Sequence, residues 1–311
     1  MVSAAILIQP SGEMWKQIRV ELNEDVSTRD QDLAYMKEWL KKQPHLPDKI
    51  DDQRIMSFLR GSSFSLEKCK RKIDMYYTMR AAVPELFTNR DVTRPELMDF
   101  LQRKAQGPTL PGLTPNGRRV TVARALDKKV EAYHLNYALK LALMIGDIRL
   151  TEEREGIAGD IYILDASVVS AAHLGKVSPS LIKKFLICVQ EAFPVKLKEV
   201  HIVNASSVID AVLTLVKPFL KEKIRNRIFV HTEMSTLHKH VPKDILPNEF
   251  GGEAGPMEVF HNAWLKKLEE YGEWFKQEEP IKANEALRPG KPANYDEMFG
   301  IEGSFRSLTI D

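Results

Sequence analysis

The chain has 311 residues, long enough for two domains with sizeable cores. Its 45 Lys and Arg against 43 Asp and Glu leave a formal net charge of +2, which excludes the global basic field of a nucleic-acid binder. Two cysteines, Cys69 and Cys188, are too few for a disulfide framework or a cysteine metal site and fit a reduced cytosol. No apolar run reaches the ~18 residues of a membrane span. The apolar run within residues 1–10 lacks a basic start, so no signal peptide is expected there.

Residues 13–84 read as helices. Leu33, Met36, Trp39 and Leu40 follow an amphipathic pattern, with Asp30 as the expected N-cap and Pro44 as the stop. A second helix runs through Ile55, Met56, Phe58 and Leu59 to Gly61. Ser65 caps a third, whose stripe is Leu66, Cys69, Ile73 and Tyr76, decorated by Lys68, Lys70, Arg71 and Lys72. Five prolines and three glycines punctuate residues 84–118, which read as a linker with one short helix near 96–102. From Arg119 the pattern alternates: strands at 119–125, 161–167, 200–206 and 227–232, with helices at 135–150, 179–192 and 208–220 between them. That alternation predicts an α/β sheet covered by helices. A last helix near 256–275 carries Val259, Trp264, Leu268 and Phe275, and the Pro- and Gly-rich tail after Pro280 is expected to be poorly ordered.

The stretch 208–220 has ten apolar residues in thirteen. Asp210, Thr214 and Lys217, at i, i+4 and i+7, form one polar stripe on an otherwise apolar helix. At about 20 Å it is too short to cross a bilayer. It reads either as a buried core helix or as a cover over an apolar cavity that also touches lipid. Lys196 and Lys198 lie upstream on one strand face, and Lys221, Lys223, Arg225 and Arg227 lie downstream. Such charges either solvate a surface or meet an anionic membrane.

Enzyme signatures are missing. No G-x-G-x-x-G follows a strand, and there is neither a Walker A loop nor a G-x-S-x-G elbow. Asp165 and His173 have no nucleophile beside them and read as structural. His231, His238 and His240 have no acidic or cysteine partner at metal spacing and are expected to be surface histidines. The expectation is a protein with no catalytic residue, no metal and no cofactor.

Residues 58–80 (FLRGSSFSLEKCKRKIDMYYTMR), 193–205 (FPVKLKEVHIVNA), 217–220 (KPFL) and 244–253 (DILPNEFGGE) together resemble the CRAL-TRIO lipid-transfer family, in order and spacing, over about residues 45–275. The resemblance implies an all-helical domain at 13–90, an α/β/α lipid-binding domain at 91–279 with a mixed sheet, an apolar cavity and a lid helix, and a tail at 280–311. The lid would present Ile209, Val212, Leu213, Val216 and Leu220. Walls would come from Leu139, Ala142, Leu143, Gly146, Phe185, Cys188, Val189 and Val200. Arg71, Lys196, Lys198, Lys223 and Arg227 would form a basic cleft for phosphoinositide headgroups. Members that bind tocopherol have serines where Ala142 and Gly146 stand, and the phosphatidylinositol branch has Glu where Val195 follows Pro194. The implied cargo is therefore one small hydrophobic lipid such as a retinoid, a carotenoid or a tocopherol-like molecule. The implied activity is that of a cytoplasmic carrier exchanging this lipid at endosomal or plasma membranes; an adaptor that binds phosphoinositide without transferring lipid is the alternative.

Overall fold

The computed structural model describes residues 6–129 and 131–300, the side chains of 132 and 133 excepted. The N-terminal part is helical: α1 (Gly12–Leu22), α2 (Arg29–Leu40), α3 (Asp52–Gly61), α4 (Leu66–Ala82) and the single turn α5 (Pro84–Phe87). Thr28, not Asp30, occupies the N-cap position of α2. Asp30 sits inside the first turn, where its charge complements the helix dipole. The start of α3 is fixed by the Asp51 carboxylate, which accepts the Arg54 amide at 2.8 Å. On α4, Cys69, Ile73 and Tyr76 are fully buried as the stripe requires. Lys72 is not surface decoration: it turns inward and donates to the carbonyls of Gln190 (3.1 Å) and Phe193 (2.7 Å).

The expected linker is more structured than its composition suggests. It holds α6 (Pro95–Arg103) and two strands, β1 (Ala105–Gln106) and β2 (Thr109–Leu113), both antiparallel to β3 (Arg118–Ala125). Edge strands tolerate the prolines that argued against them. β3, β4 (Gly159–Asp165), β5 (Leu197–Val203) and β6 (Ile228–Val230) then run parallel, giving the order β1-β3-β4-β5-β6. The connections are α7 (Ala132–Glu152), then α8 (Ala171–Leu174) with α9 (Pro179–Ile187), then α10 (Val208–Val216) with α11 (Glu222–Arg225). Every parallel step moves the same way across the sheet, so right-handed crossovers place these helices on one face. α9 continues as a π-helical turn over Cys188–Ala192, and α10 as a 3-10 turn over Lys217–Phe219. α12 (Met234–Leu237), α13 (Met257–Glu270), α14 (Gly272–Glu278) and α15 (Tyr295–Phe299) complete the described chain.

The two sheet faces are filled differently. One carries Val120, Val122, Ile161, Ile163 and Val203, packed under Leu237, Val241, Leu246, Phe250 and Met257. The helical region joins the rest through a core in which Phe58, Tyr76 and Tyr77 meet Cys188, Ala192 and Phe193. Gly61 permits this approach, because a Cβ there would lie 2.1 Å from the Pro194 carbonyl oxygen. A buried ion cluster reinforces the junction. Asp147 of α7 accepts from Tyr76 (2.6 Å), Arg80 (3.0 Å) and Arg90 (2.5 Å). Burial alone would raise the Asp147 carboxyl, but Arg80 and Arg90 outweigh it and hold it below the usual carboxylate range.

The stretch after Pro280 is ordered as far as it is described, against expectation. The Ala283 and Asn284 amides donate to the carbonyls of Tyr77 (3.0 Å) and His45 (2.8 Å), and Arg288 pairs with Asp74 at 2.7 Å. Two of its backbone amides are thereby satisfied on the helical region. Residues 301–311 lie outside the described residues.

Candidate functional site

The second sheet face carries Thr121, Ala123, Tyr162, Leu164, Val200 and Ile202. Parallel strands normally bury both faces. Here Ile163 is 0 % exposed and its neighbour Leu164, in the same central strand, is 40 % exposed. Tyr162 keeps accessible surface, yet burial pushes its phenol up. An apolar floor is left incompletely covered.

Above one end of that floor, Ile209 and Leu213 of α10 pack on Ile202, Ile228, Val169 and Ala205. Ile209 and Leu220 are buried, and Val212, Leu213 and Val216 are half-buried. Asp210, Thr214 and Lys217 face solvent as one stripe, with Thr214 donating to the Asp210 carbonyl at 2.8 Å. The end of the helix is clamped by one side chain from the π turn. Gln190 donates to the Phe219 carbonyl at 3.0 Å and accepts from the Lys221 amide at 2.9 Å.

Among the expected wall residues, Leu139, Phe185, Val189 and Val200 are half-buried and Ala142 is exposed. Leu143 and Cys188 are closed off in the helical-region core. Gly146 faces the Phe193 ring, 3.0 Å from where its Cβ would be. In this structure those three fill core. Both thiols are free and buried, and burial pushes that of Cys69 up to about 12. Tyr162, Leu164 and Gln190 went unnoticed in the sequence.

The basic residues converge in part. Burial lowers the Lys196 ammonium, and Lys198, Lys223 and Lys68 lower it further against the opposing pull of Glu21. Lys196 donates to Ser63 Oγ at 2.7 Å. Lys198 is ion-paired with Glu21 of α1, and Arg227 donates to the Leu197 carbonyl. Arg71 is exposed on α4 and makes no contact with this group among the described residues. The group is a cationic patch with one acidic residue inside it.

The histidines are not all at the surface, and one of them, His240, does have an acidic partner, while His238 is bonded to the Phe250 carbonyl. His231 is buried beside the fully buried His201, and Glu199 lies 3.0 Å from His201 and 2.9 Å from His240. Burial pulls the His201 imidazole down to about 4, against the pull of Glu199. Asp165 accepts from the Ser167 amide and from Asn204, and His173 is bonded to Ser170 in a capping arrangement. Both sets of contacts are local hydrogen bonds within or beside their own elements.

The model of the CRAL/TRIO domain matches residues 105–252, and that of the Pinta-like UBA domain matches residues 25–97. The mouse (Mus musculus) alpha-tocopherol transfer protein-like protein is 30% identical over 256 residues, 81% of this chain and 74% of its own. The chain belongs to the CRAL/TRIO family. Clavesin-2 of Rattus norvegicus is 29% identical over 260 residues, 83% of this chain and 79% of its own. Clavesin-1 of Xenopus laevis is 29% identical over 256 residues, 80% of this chain and 75% of its own. The crystal structure of Sfh5 aligns with 85% of this chain and 100% of its own, at 15% identity and a TM-score of 0.40; the family assignment does not rest on it. Within the CRAL/TRIO match lie the uncovered floor, α10 and the cationic Lys196 group. No helix among the described residues is long and apolar enough to cross a membrane.

Proposed function

We propose that this CRAL/TRIO protein is a non-catalytic carrier that holds one small hydrophobic lipid between the uncovered sheet face and α10, and exchanges it at anionic membranes. The observation that carries the reading is Leu164, 40 % exposed in a central parallel strand, on the sheet face whose neighbouring Ile202 packs under the apolar helix α10. A ligand of some 400 Å² laid on such a floor gains about 10 kcal/mol before the costs of association. The relatives' names, a tocopherol transfer protein-like protein among them, support the same class. Retinoids, carotenoids and tocopherol-like molecules are the proposed cargo. Ile209, Val212, Leu213, Val216 and Leu220 are the proposed lid contacts. Lys196, Lys198, Lys223, Arg227 and Arg71 are proposed to meet phosphoinositide headgroups from the cytoplasmic side. Residues 13–90 form the proposed helical module and 91–279 the lipid-binding domain.

A second reading, an adaptor that binds phosphoinositide without carrying lipid, draws on the mutual crowding of Lys196, Lys198, Lys223 and Lys68. Organic extraction and mass spectrometry of the purified chain separate the two. A stoichiometric apolar lipid supports the carrier. An empty protein that binds none of a panel of retinoids, carotenoids, tocopherols and sterols below about 10 μM overturns it, and tight phosphoinositide binding by that same protein supports the adaptor.

A further inference from the structure

On the packed face of the sheet, opposite the apolar floor, four histidine and glutamate side chains meet where β5, the end of β6 and the loop after α12 come together. Glu199 and His201 are two apart on β5, so both side chains point to this face. His240 reaches them from the loop. One ligand atom from each of Glu199, His201 and His240 lies within 4.8 Å of the others. Glu199 Oε2 is 3.0 Å from His201 Nε2 and 2.9 Å from His240 Nδ1.

The hydrogen bonds behind His201 decide which of its nitrogens carries the proton. Thr236 Oγ1 donates its only proton to the Glu233 carbonyl at 2.6 Å. His231 Nδ1, 2.7 Å from that oxygen, must then be a donor. In a neutral ring this leaves His231 Nε2 as an acceptor, which takes the proton of His201 Nδ1 at 2.8 Å. His201 Nε2 is thereby left with a bare lone pair aimed at a carboxylate oxygen 3.0 Å away. Two lone pairs at that distance call for a proton or a metal cation between them, and His240 brings a third ligand atom to the same place. Arg118 holds the other oxygen of Glu199 at 2.5 Å and keeps the carboxylate turned toward the histidines. Donation of a ligating histidine's second N–H, and a hydrogen bond to the ligating carboxylate, are the usual outer supports of a metal site.

We infer that Glu199, His201 and His240 form a zinc site, with two imidazoles and one carboxylate as protein ligands. Imidazole nitrogen and carboxylate oxygen are the donors Zn²⁺ takes alongside thiolate, and three protein ligands leave a fourth position for water. Bonds of about 2.0–2.1 Å put tetrahedral ligands about 3.4 Å apart. The Glu199 oxygen must therefore back away from each histidine nitrogen, now 3.0 and 2.9 Å off, while the two nitrogens, within 4.8 Å, draw together. His240 is exposed and on a loop, and can supply its own part of that movement; the Glu199–His201 pair opens by a small rotation of the Glu199 carboxylate. The ion would staple this loop to β5, beside the strand that follows α10. The inference does not depend on what occupies the opposite face.

The test uses the untagged full-length chain, stripped with chelator and titrated with Zn²⁺ alone. One equivalent is expected to bind with a Kd below about 10 μM, and the melting temperature is expected to rise with free Zn²⁺ by mass action. His240→Ala, at an exposed position, and Glu199→Gln should each weaken binding at least tenfold, while His173→Ala on α8 should leave it unchanged. Zinc-edge X-ray absorption of the loaded protein should show two imidazoles. No binding up to 100 μM would mean that the cluster is a hydrogen-bond network only, and would overturn the inference. So would equal binding by wild type and His240→Ala, or a bound ion without imidazole scattering.

Discussion

Ile163 and Leu164 are neighbours in one strand, similar in size and in oiliness, and the fold treats them oppositely. Ile163 points into a face closed by Leu237, Val241, Leu246, Phe250 and Met257; Leu164 points to a face left 40 % open at that residue. Apolar surface on the first face is used to fold the chain. On the second, part of it is left in contact with solvent.

Substitutions at these two positions give the widest separation. Ile163→Ala should cost about 2–5 kcal/mol of stability, because it removes close-packed atoms from a full core. Leu164→Ala should cost the apo protein under about 1 kcal/mol, since little packs against it, and should instead weaken lipid binding. Equal losses on chemical denaturation would mean that both faces are ordinary core.

The same distinction applies to α10. Val212→Asp or Leu213→Asp should abolish lipid retention while the apo protein melts within a few degrees of wild type. A charge against the floor or against lipid costs several kcal/mol of desolvation, but these side chains are only half-buried without ligand. Asp210→Ala, on the solvent stripe, should change neither. Wholesale unfolding of the Asp variants would make α10 a static crossover helix and remove the gate from the carrier.

Smaller effects are expected at the cationic patch. Lys223→Ala should slow transfer to anionic vesicles by about fivefold, the worth of one basic group near such a surface, and added salt should mask the difference. Glu21→Ala should work in the opposite direction, because it releases Lys198 from its ion pair. Cavity binding should be unaffected in both. Transfer rates equal to wild type at low salt would leave these charges as a solvated surface.

Much of this was legible from local pattern. The Asp210, Thr214 and Lys217 stripe and the α4 stripe each depend on periodicity within one helix, and both hold in the structure. What escaped was non-local. Nothing in IYILD says that Ile163 meets a packed layer and Leu164 does not, because both alternate positions are apolar. β1 and β2 were hidden by Pro108, Pro111, Gly107 and Gly112, which an edge strand can accept. Glu199 and His201 share a strand face by spacing alone, but His240 joins them only once β6 and α12 are in place. The stretch 281–288 looked too polar to pack, and its amides found carbonyls on the helical region instead.

The Gln190 clamp bears on timing more than on affinity. Its carboxamide touches backbone on both sides of Leu220, and its own carbonyl is held by Lys72 from the helical region. In a carrier, residence time follows the barrier to opening, and loosening two neutral hydrogen bonds lowers that barrier by a modest amount. A change at Gln190, or at Lys72 behind it, would therefore reset the pace of exchange in both directions while the pocket's preference among lipids stayed as it was. The helical module, through Lys72, would then act as the escapement of the clock.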